Sequence, residues 1–443
     1  MSKLDMRSQL KIKSQIAIIL TFILVSNFHA QTRSFAAEPK MNTKCSKLGS
    51  KEVYTGKLFI CVKKGSKLVW SNGVKNKKDR VYKEALPTPK DISNSKDITL
   101  FSELSYINIC KTSDLTLRSD VSNGFPRPNS ALRGKSDVRI LFVPISFTDF
   151  AFSEEDLKRN LAVAEDVRNF YSKTSYGNVT IKFDFLEKKY WVDMGRSADS
   201  YNLIENKPQQ NNRQVVVDAL GLVDSAINFD LYDAVVVESG KFQSTGGGQG
   251  FPGETFKTKT GTAKGVSFEF GRAVASFQTL AHELGHSLFS LEDLYVFLNA
   301  NRPTVPDPTP AGSWDMMSNS TREFFGWSKL MNGWIEDSQV RCLTSQSLST
   351  HYIEDISLAS AKPKLILINL LMGVTLAIET RQNFNGSKGI LIYKIDSRIA
   401  HGDGPIVAQK DLLNVGKSLN IEGWTITSSD SDSKGVLVRV EKK

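Results

Sequence analysis

Apolar positions follow different rhythms in different parts of the chain, and each rhythm predicts its own elements. Near the front, Val53-Tyr54, Leu58 to Val62 and Leu68 to Trp70 read as short strands, with Gly56 and Gly65 in turns. Pro87 and Pro89 mark a linker, and residues 91–136 are polar and irregular, punctuated by Gly124-Phe125-Pro126-Arg127-Pro128. Order returns at Val138 to Ile145, an apolar and β-branched run that predicts a buried strand. Ser153 to Asp156 gives a capping-box start to a helix, and Leu157, Leu161, Ala164, Val167, Phe170 and Tyr171 supply its apolar face. Val179 to Phe185 predicts a strand, Val215 to Ile227 a helix, and Ala234 to Val237 another buried strand. The run Gly246-Gly247-Gly248-Gln249-Gly250 reads as a flexible surface loop; it lacks the Lys-Ser/Thr that closes a phosphate-binding loop. Val266 to Phe270 alternates cleanly, which predicts an edge strand able to accept an extended chain, and it leads into a helical pattern capped at Ser276. Beyond residue 338, Tyr352 to Leu358, Lys364 to Leu370, Thr375 to Arg381, Ile390 to Asp396 and Val436 to Val440 predict a β-sandwich-like region.

The chain has 443 residues, 40% of them hydrophobic, enough for two or three cores. Its formal net charge of +10 is unevenly spread. Lys44, Lys47, Lys51, Lys57, Lys63, Lys64, Lys67, Lys75, Lys77, Lys78, Arg80 and Lys83 crowd one short region, which is either a solvated surface or a patch for an anionic polymer. Lys3, Arg7, Lys11 and Lys13, the apolar run Ile16 to Val25, and the small residues Ser34, Ala36 and Ala37 have the layout of a secretory signal spanning 1–37. Export implies an oxidising compartment, and the four cysteines are an even number that sequence alone can join in three ways. Proximity favours Cys45 with Cys61, leaving Cys110 with Cys342 to tie the entry of the central region to its exit.

The helix after Ser276 carries His282-Glu283-Leu284-Gly285-His286. Residues four apart share a helix face, so His282 and His286 can grip one cation, while Leu280, Leu284 and Leu288 form a stripe suited to burial. Two imidazoles on a rigid rod suit zinc, and Glu283, next to the first ligand, can reach a water at the metal as general base. A catalytic zinc needs a third protein ligand, and the candidates are Glu292 and Asp293. Metzincin peptidases place theirs ten residues after the first histidine, here Glu292, and set a glycine at the seventh place, here Phe289.

With Leu291-Glu292-Asp293-Leu294-Tyr295 following, the motif resembles the immune inhibitor A family of secreted bacterial zinc metallopeptidases. Members read His-Glu-x-Gly-His, a Gly-containing turn, then Asp-Leu-Tyr; this chain has one extra residue, with Phe289-Ser290 where the glycine usually stands. The resemblance implies Asp293 as third ligand, with Glu292 as the rival. Ser313-Trp314-Asp315-Met316-Met317-Ser318 resembles the family's Trp-Asp-x-Met-Ser segment, which implies Met317 as a packing floor beneath the metal. Phe325 to Lys329, Gly333-Trp334-Ile335, Arg139 to Asp149 and Phe170 to Gly177 extend the likeness over about 138–337. The implied fold is α+β: a zincin-type peptidase domain with a twisted mixed sheet and an active-site helix at 138–337. A small basic Cys-stapled β module at 38–90, an irregular entry at 91–137 and a β-sandwich-like domain at 338–443 complete the layout. The implied activity is secreted, zinc-dependent hydrolysis of protein or peptide substrates; the lysine-rich patch separately leaves an anionic cell-surface polymer open as a partner of the basic module, with no specific nucleic acid. The rival readings are a surface-binding protein with a degenerate protease domain and a metal hydrolase acting on other substrates. Asp293, Asp307 and Asp315 leave structural calcium open.

Overall fold

The computed structural model describes residues 43–54, 57–72, 74–75, 91–96, 98–116, 118–134, 136–203, 210–223, 225, 227–240, 247–298, 302–318, 323–382, 386 and 388–443. The signal-like segment 1–37, the Pro87 and Pro89 linker, Gly246 and the cations Lys77, Lys78, Arg80 and Lys83 lie outside the described residues. The chain is a mixed α+β protein with more strand than helix. It divides into two compact units, Met1–Thr88 and Pro89–Lys443.

In the first unit, β1 (Lys51–Tyr54), β2 (Lys57–Lys64), β3 (Lys67–Trp70) and β4 (Val74–Lys75) form an antiparallel sheet in which β2 pairs with all the others. So small a sheet has little apolar interior, and a disulfide joins Cys45 to Cys61, with Cα atoms 5.9 Å apart. Among the described residues no helix of either unit is long and apolar enough to cross a membrane.

The second unit opens with α1 (Ile107–Cys110), and the entry segment around it is less loose than its composition predicts, since Cys110, Val121 and Arg127 are buried. A second disulfide joins Cys110 to Cys342 across 232 residues, closing a loop whose entropy makes the link worth up to about 5 kcal/mol. Its central sheet is built from β5 (Ser136–Ser146), β6 (Val179–Phe185), β7 (Val192–Asp193), β8 (Ala234–Ser239), β9 (Gly247–Thr258) and β10 (Gly261–Phe270), in the order β6-β5-β8-β10-β9 with β7 beside β5. All neighbours are parallel except β9, which runs antiparallel to β10 at the edge. The alternating Val266 to Phe270 therefore sits in an interior strand, not at the edge. The glycine run, read as a loop, supplies the start of the real edge strand at Gly247.

Helices cover both faces. The capping box at Ser153 and Asp156 starts α2 (Glu154–Thr174). Helix α3 (Asn212–Leu222) is shorter than the apolar pattern predicts, because Val223 leaves helical geometry and turns into the core. Helix α4 (Phe277–Phe289) packs against β9 and β10, and the short α5 (Gly326–Met331) follows. The remaining strands are β11 (Val340–Leu343), β12 (Leu348–Glu354), β13 (Leu365–Leu371), β14 (Val374–Gln382), β15 (Lys388–Asp396), β16 (Ile406–Ala408), β17 (Leu413–Asn414), β18 (Ser418–Ile421), β19 (Trp424–Ser431) and β20 (Gly435–Lys442). They make one sheet ordered β11-β13-β14-β15-β16, with β17 beside β15, and another ordered β12-β20-β19-β18. Inward residues of both, among them Ile366, Ile378, Ile392, Ile426 and Val438, share one apolar cluster. The largest cluster of the unit joins Val138, Leu284 and Trp327 to Leu365 and Ile395, so the sequence boundary at 337/338 runs through a shared core.

Candidate metal centre

Local sequence explains the helix that carries the histidine pair. Ser276 Oγ accepts the Thr279 N–H at 3.3 Å and caps α4, and Leu280, Leu284 and Leu288 are all buried on the core side. That orientation turns His282 and His286 together toward a cleft of about 440 Å³. Helix α4 ends at Phe289, whose buried ring stacks on Tyr171 with centroids 5.5 Å apart. The reversal falls to Ser290, at φ 50°, with no glycine in the turn. Arg127 holds this turn by donating to the carbonyls of Phe289 (2.7 Å) and Ser290 (3.0 Å). The chain then comes back so that Asp293 reaches the histidines.

Nε2 of His282 is 2.9 Å and Nε2 of His286 is 3.3 Å from Oδ1 of Asp293, and the two nitrogens are 3.1 Å apart. The remaining ring nitrogens are already engaged: His282 Nδ1 faces Met316 O at 3.0 Å and His286 Nδ1 faces Leu291 O at 2.7 Å. A backbone carbonyl can only accept, so each Nδ1 must carry the proton, and each neutral imidazole then presents a bare Nε2. Three lone-pair atoms thus converge on one point, an arrangement that repels itself unless a cation sits there. Protons are one answer: burial alone lowers the pKa of His286, but the Asp293 carboxylate outweighs it and raises the group to about 9. His282 is raised in the same balance, burial lowering and the Asp293 contact raising. Asp293 itself stays far below the usual carboxylate range, the histidines overcoming its burial. A metal ion is the other answer, and the donor set fits one: two imidazoles tethered through Nδ1 and a carboxylate, their ligand atoms mutually within 4.8 Å. This is the cluster of its kind among the described residues.

Glu283 lies at the cleft floor, 7% exposed, and burial raises its pKa above the ordinary value despite the two histidines. The glycine run finds its reason here. A Cβ at position 248 would stand 2.5 Å from Glu283 Oε1, and one at 250 would stand 2.7 Å from the His286 Cβ. Only glycine lets β9 lie this close to α4.

Glu292 does not join the histidine pair. It is buried beside the ring of His401, Oε1 to Nδ1 3.5 Å. Met317 is buried against Gly285, where a Cβ would meet its sulfur at 2.5 Å, so it packs under the helix between the two histidine positions. Asp315 accepts from the N–H groups of Met317 (2.8 Å) and Phe325 (2.6 Å) and from Ser328 Oγ (2.9 Å), which pins that turn. Burial raises its carboxyl to about 6. Asp293, Asp307 and Asp315 do not gather into a second cluster among the described residues. Arg127, Tyr295 and His401 were not among the sequence-based candidates for roles here; the Tyr295 ring stacks near His282 at 6.1 Å, and burial raises its hydroxyl above the ordinary tyrosine range. A tyrosine directly after Asp-Leu was the one legible signal. Neither a protein-family model nor a curated protein sequence matches the chain.

Proposed function

We propose that the chain is an exported zinc-dependent endopeptidase in which His282, His286 and Asp293 hold the metal and Glu283 is the general base. The observation that carries this reading is the convergence of three lone-pair atoms whose imidazole Nδ1 positions are already committed to carbonyls. Two nitrogens and one carboxylate oxygen suit zinc and leave a coordination position for chemistry. When bound, zinc supplies Lewis acidity to a water and to the scissile carbonyl. Glu283, buried beside the ligands with its carboxyl held above its ordinary range, takes the proton of the attacking water and delivers it to the leaving amine. The glycines of β9, Gly248 and Gly250, pack directly against that carboxylate.

A peptide substrate is favoured by β9. It lines the cleft from Gly248 to Pro252, and β10 is its strand partner in the sheet, so its other side offers hydrogen-bonding groups to an extended chain. Two disulfides accord with an oxidising compartment, which supports the secreted, extracellular reading of the 1–37 segment. The lysines of the first unit then offer a hold on an anionic polymer at the cell surface.

Metal analysis and casein cleavage by the purified protein and its Glu283→Gln form test the proposal together. Stoichiometric zinc in both, with turnover lower by roughly two to four orders of magnitude in Glu283→Gln, is the expected result. Equal turnover in the two would reject Glu283 as the base. A wild-type protein without zinc would remove the enzyme and leave the surface-binding protein in its place.

A further inference from the structure

We infer that His401, from the turn between β15 and β16, is a positioning residue of the metal centre: it holds Asp293 in line with the two histidine ligands. The inference rests on the metal-binding reading above and adds to it a residue more than a hundred positions away in sequence. Three of the chain's five histidines then meet in one cleft, and the third comes from the C-terminal β region.

The turn is anchored independently of the imidazole. The Phe297 N–H donates to Gly402 O at 2.8 Å, Val296 bridges Asp403, and Asp403 pairs with Arg302. Gly402 sits directly on the Phe297 ring, where a Cβ would come within 2.2 Å of a ring carbon. The same ring meets the His401 imidazole edge-to-face at 5.1 Å. The imidazole is therefore aimed by a fixed backbone and a fixed aromatic wall, and it is 18% exposed at the cleft.

It is aimed between two carboxylates. Nε2 is 3.6 Å from Asp293 Oδ2 and Nδ1 is 3.5 Å from Glu292 Oε1. Asp293 thus has its two oxygens assigned: Oδ1 to the histidine pair, Oδ2 toward His401. Distances of this size are one small side-chain movement from hydrogen bonds. The role fits the buried Glu292 as well, since its Oε1 has no hydrogen-bond partner and His401 is the group facing it. Carboxylate ligands hold their orientation through such outer contacts, and losing one typically costs 10–100-fold in metal affinity.

The test uses the full chain in wild-type, His401→Ala, His401→Phe and His401→Gln forms. Zinc affinity is measured by competition with a chelator, the ligand field by the visible spectrum of the cobalt(II)-loaded protein, and folding by melting of the metal-free protein. His401→Ala and His401→Phe should each weaken zinc by about 10–100-fold and shift the cobalt spectrum, with little change in metal-free melting. His401→Phe retains the packing on Phe297, so it carries the test if the alanine form folds poorly. His401→Gln should recover part of both readouts, because its amide N–H can face Asp293 Oδ2. Wild-type affinity and spectrum in His401→Phe would overturn the inference while leaving the metal site standing. Failure of the wild-type chain to take up either metal would remove the site and this inference together.

Discussion

Two of the polar clusters buried among the described residues of the second unit differ in how their charge is balanced. At the junction of α5 and β14, Lys329 pairs with Glu323 at 3.0 Å and Arg381 pairs with Glu379 at 2.6 Å. The spare valences are taken up nearby: Glu379 Oε2 accepts from the Gly326 N–H (2.6 Å) and from Tyr393 (2.9 Å), Lys329 donates to Ile356 O (3.2 Å), and Arg381 donates to Phe324 O (2.8 Å). Cation answers carboxylate, and the cluster is finished by the chain itself. At the proposed metal centre, Asp293 and two bare nitrogens face each other, and the ion-pair partners of Asp293 among the described residues are histidines, with no lysine or arginine. The comparison suggests how to read these two clusters: the one complete in its own charges holds the fold together, and the one short of positive charge is, on the proposed reading, the place that receives a cation.

Removing a charge from the finished cluster should do the greatest damage. Arg381→Met leaves Glu379 buried beside Tyr393 without its cation, and breaking a buried pair in this way costs about 3–5 kcal/mol. Urea unfolding of the metal-free protein would register the loss, and zinc affinity of the folded fraction should stay as in wild type. A change below about 1 kcal/mol would mean that this cluster is not self-sufficient in the sense argued.

The unfinished cluster should instead respond to pH and chelator. A histidine whose folded pKa is raised stabilises the metal-free fold fully below its unfolded value near 6.5, and that contribution is lost as pH rises through about 9 for His286. Zinc needs the unprotonated nitrogens, so its contribution grows across the same window. The melting gap between zinc-loaded and chelated protein should therefore widen from pH 6.5 to 9, by on the order of 2–3 kcal/mol in stability. A gap that stays constant or narrows with pH would take the histidines out of the metal site.

How much of this was legible in the sequence follows from range. Helix α4, its Ser276 cap and its buried leucine stripe are local, set by side-chain period and one hydroxyl, and they read correctly. So did the capping box at Ser153 and most strands of the C-terminal sheets, whose alternation is visible residue by residue. The edge strand did not, because Gly247 to Gly250 has no apolar rhythm; its glycines answer to Glu283 and His286, which lie in another element. Spacing left Asp293 and Glu292 open as third ligand for a similar reason. Both follow the same turn, and only the direction of the chain after Ser290 sends one to the histidine pair and the other to His401. Arg127 and His401 carried no local signal at all, since each acts on a segment more than a hundred residues distant.

The turn that delivers Asp293 gives the smallest and sharpest test. Ser290 takes a left-handed conformation at φ 50°, which costs a residue with a Cβ roughly 1 kcal/mol. Ser290→Gly removes that strain but adds freedom to the unfolded chain and deletes the hydroxyl contact with Ser130 Oγ at 3.2 Å, so the net gain should be about 0.5 kcal/mol. Zinc affinity should not change, because Arg127 grips the backbone carbonyls of the turn and these survive the substitution. A melting temperature that rises while affinity falls would mean that the strain itself is used to press Asp293 toward the histidines, so that the unfinished cluster is held open by force as well as by missing charge.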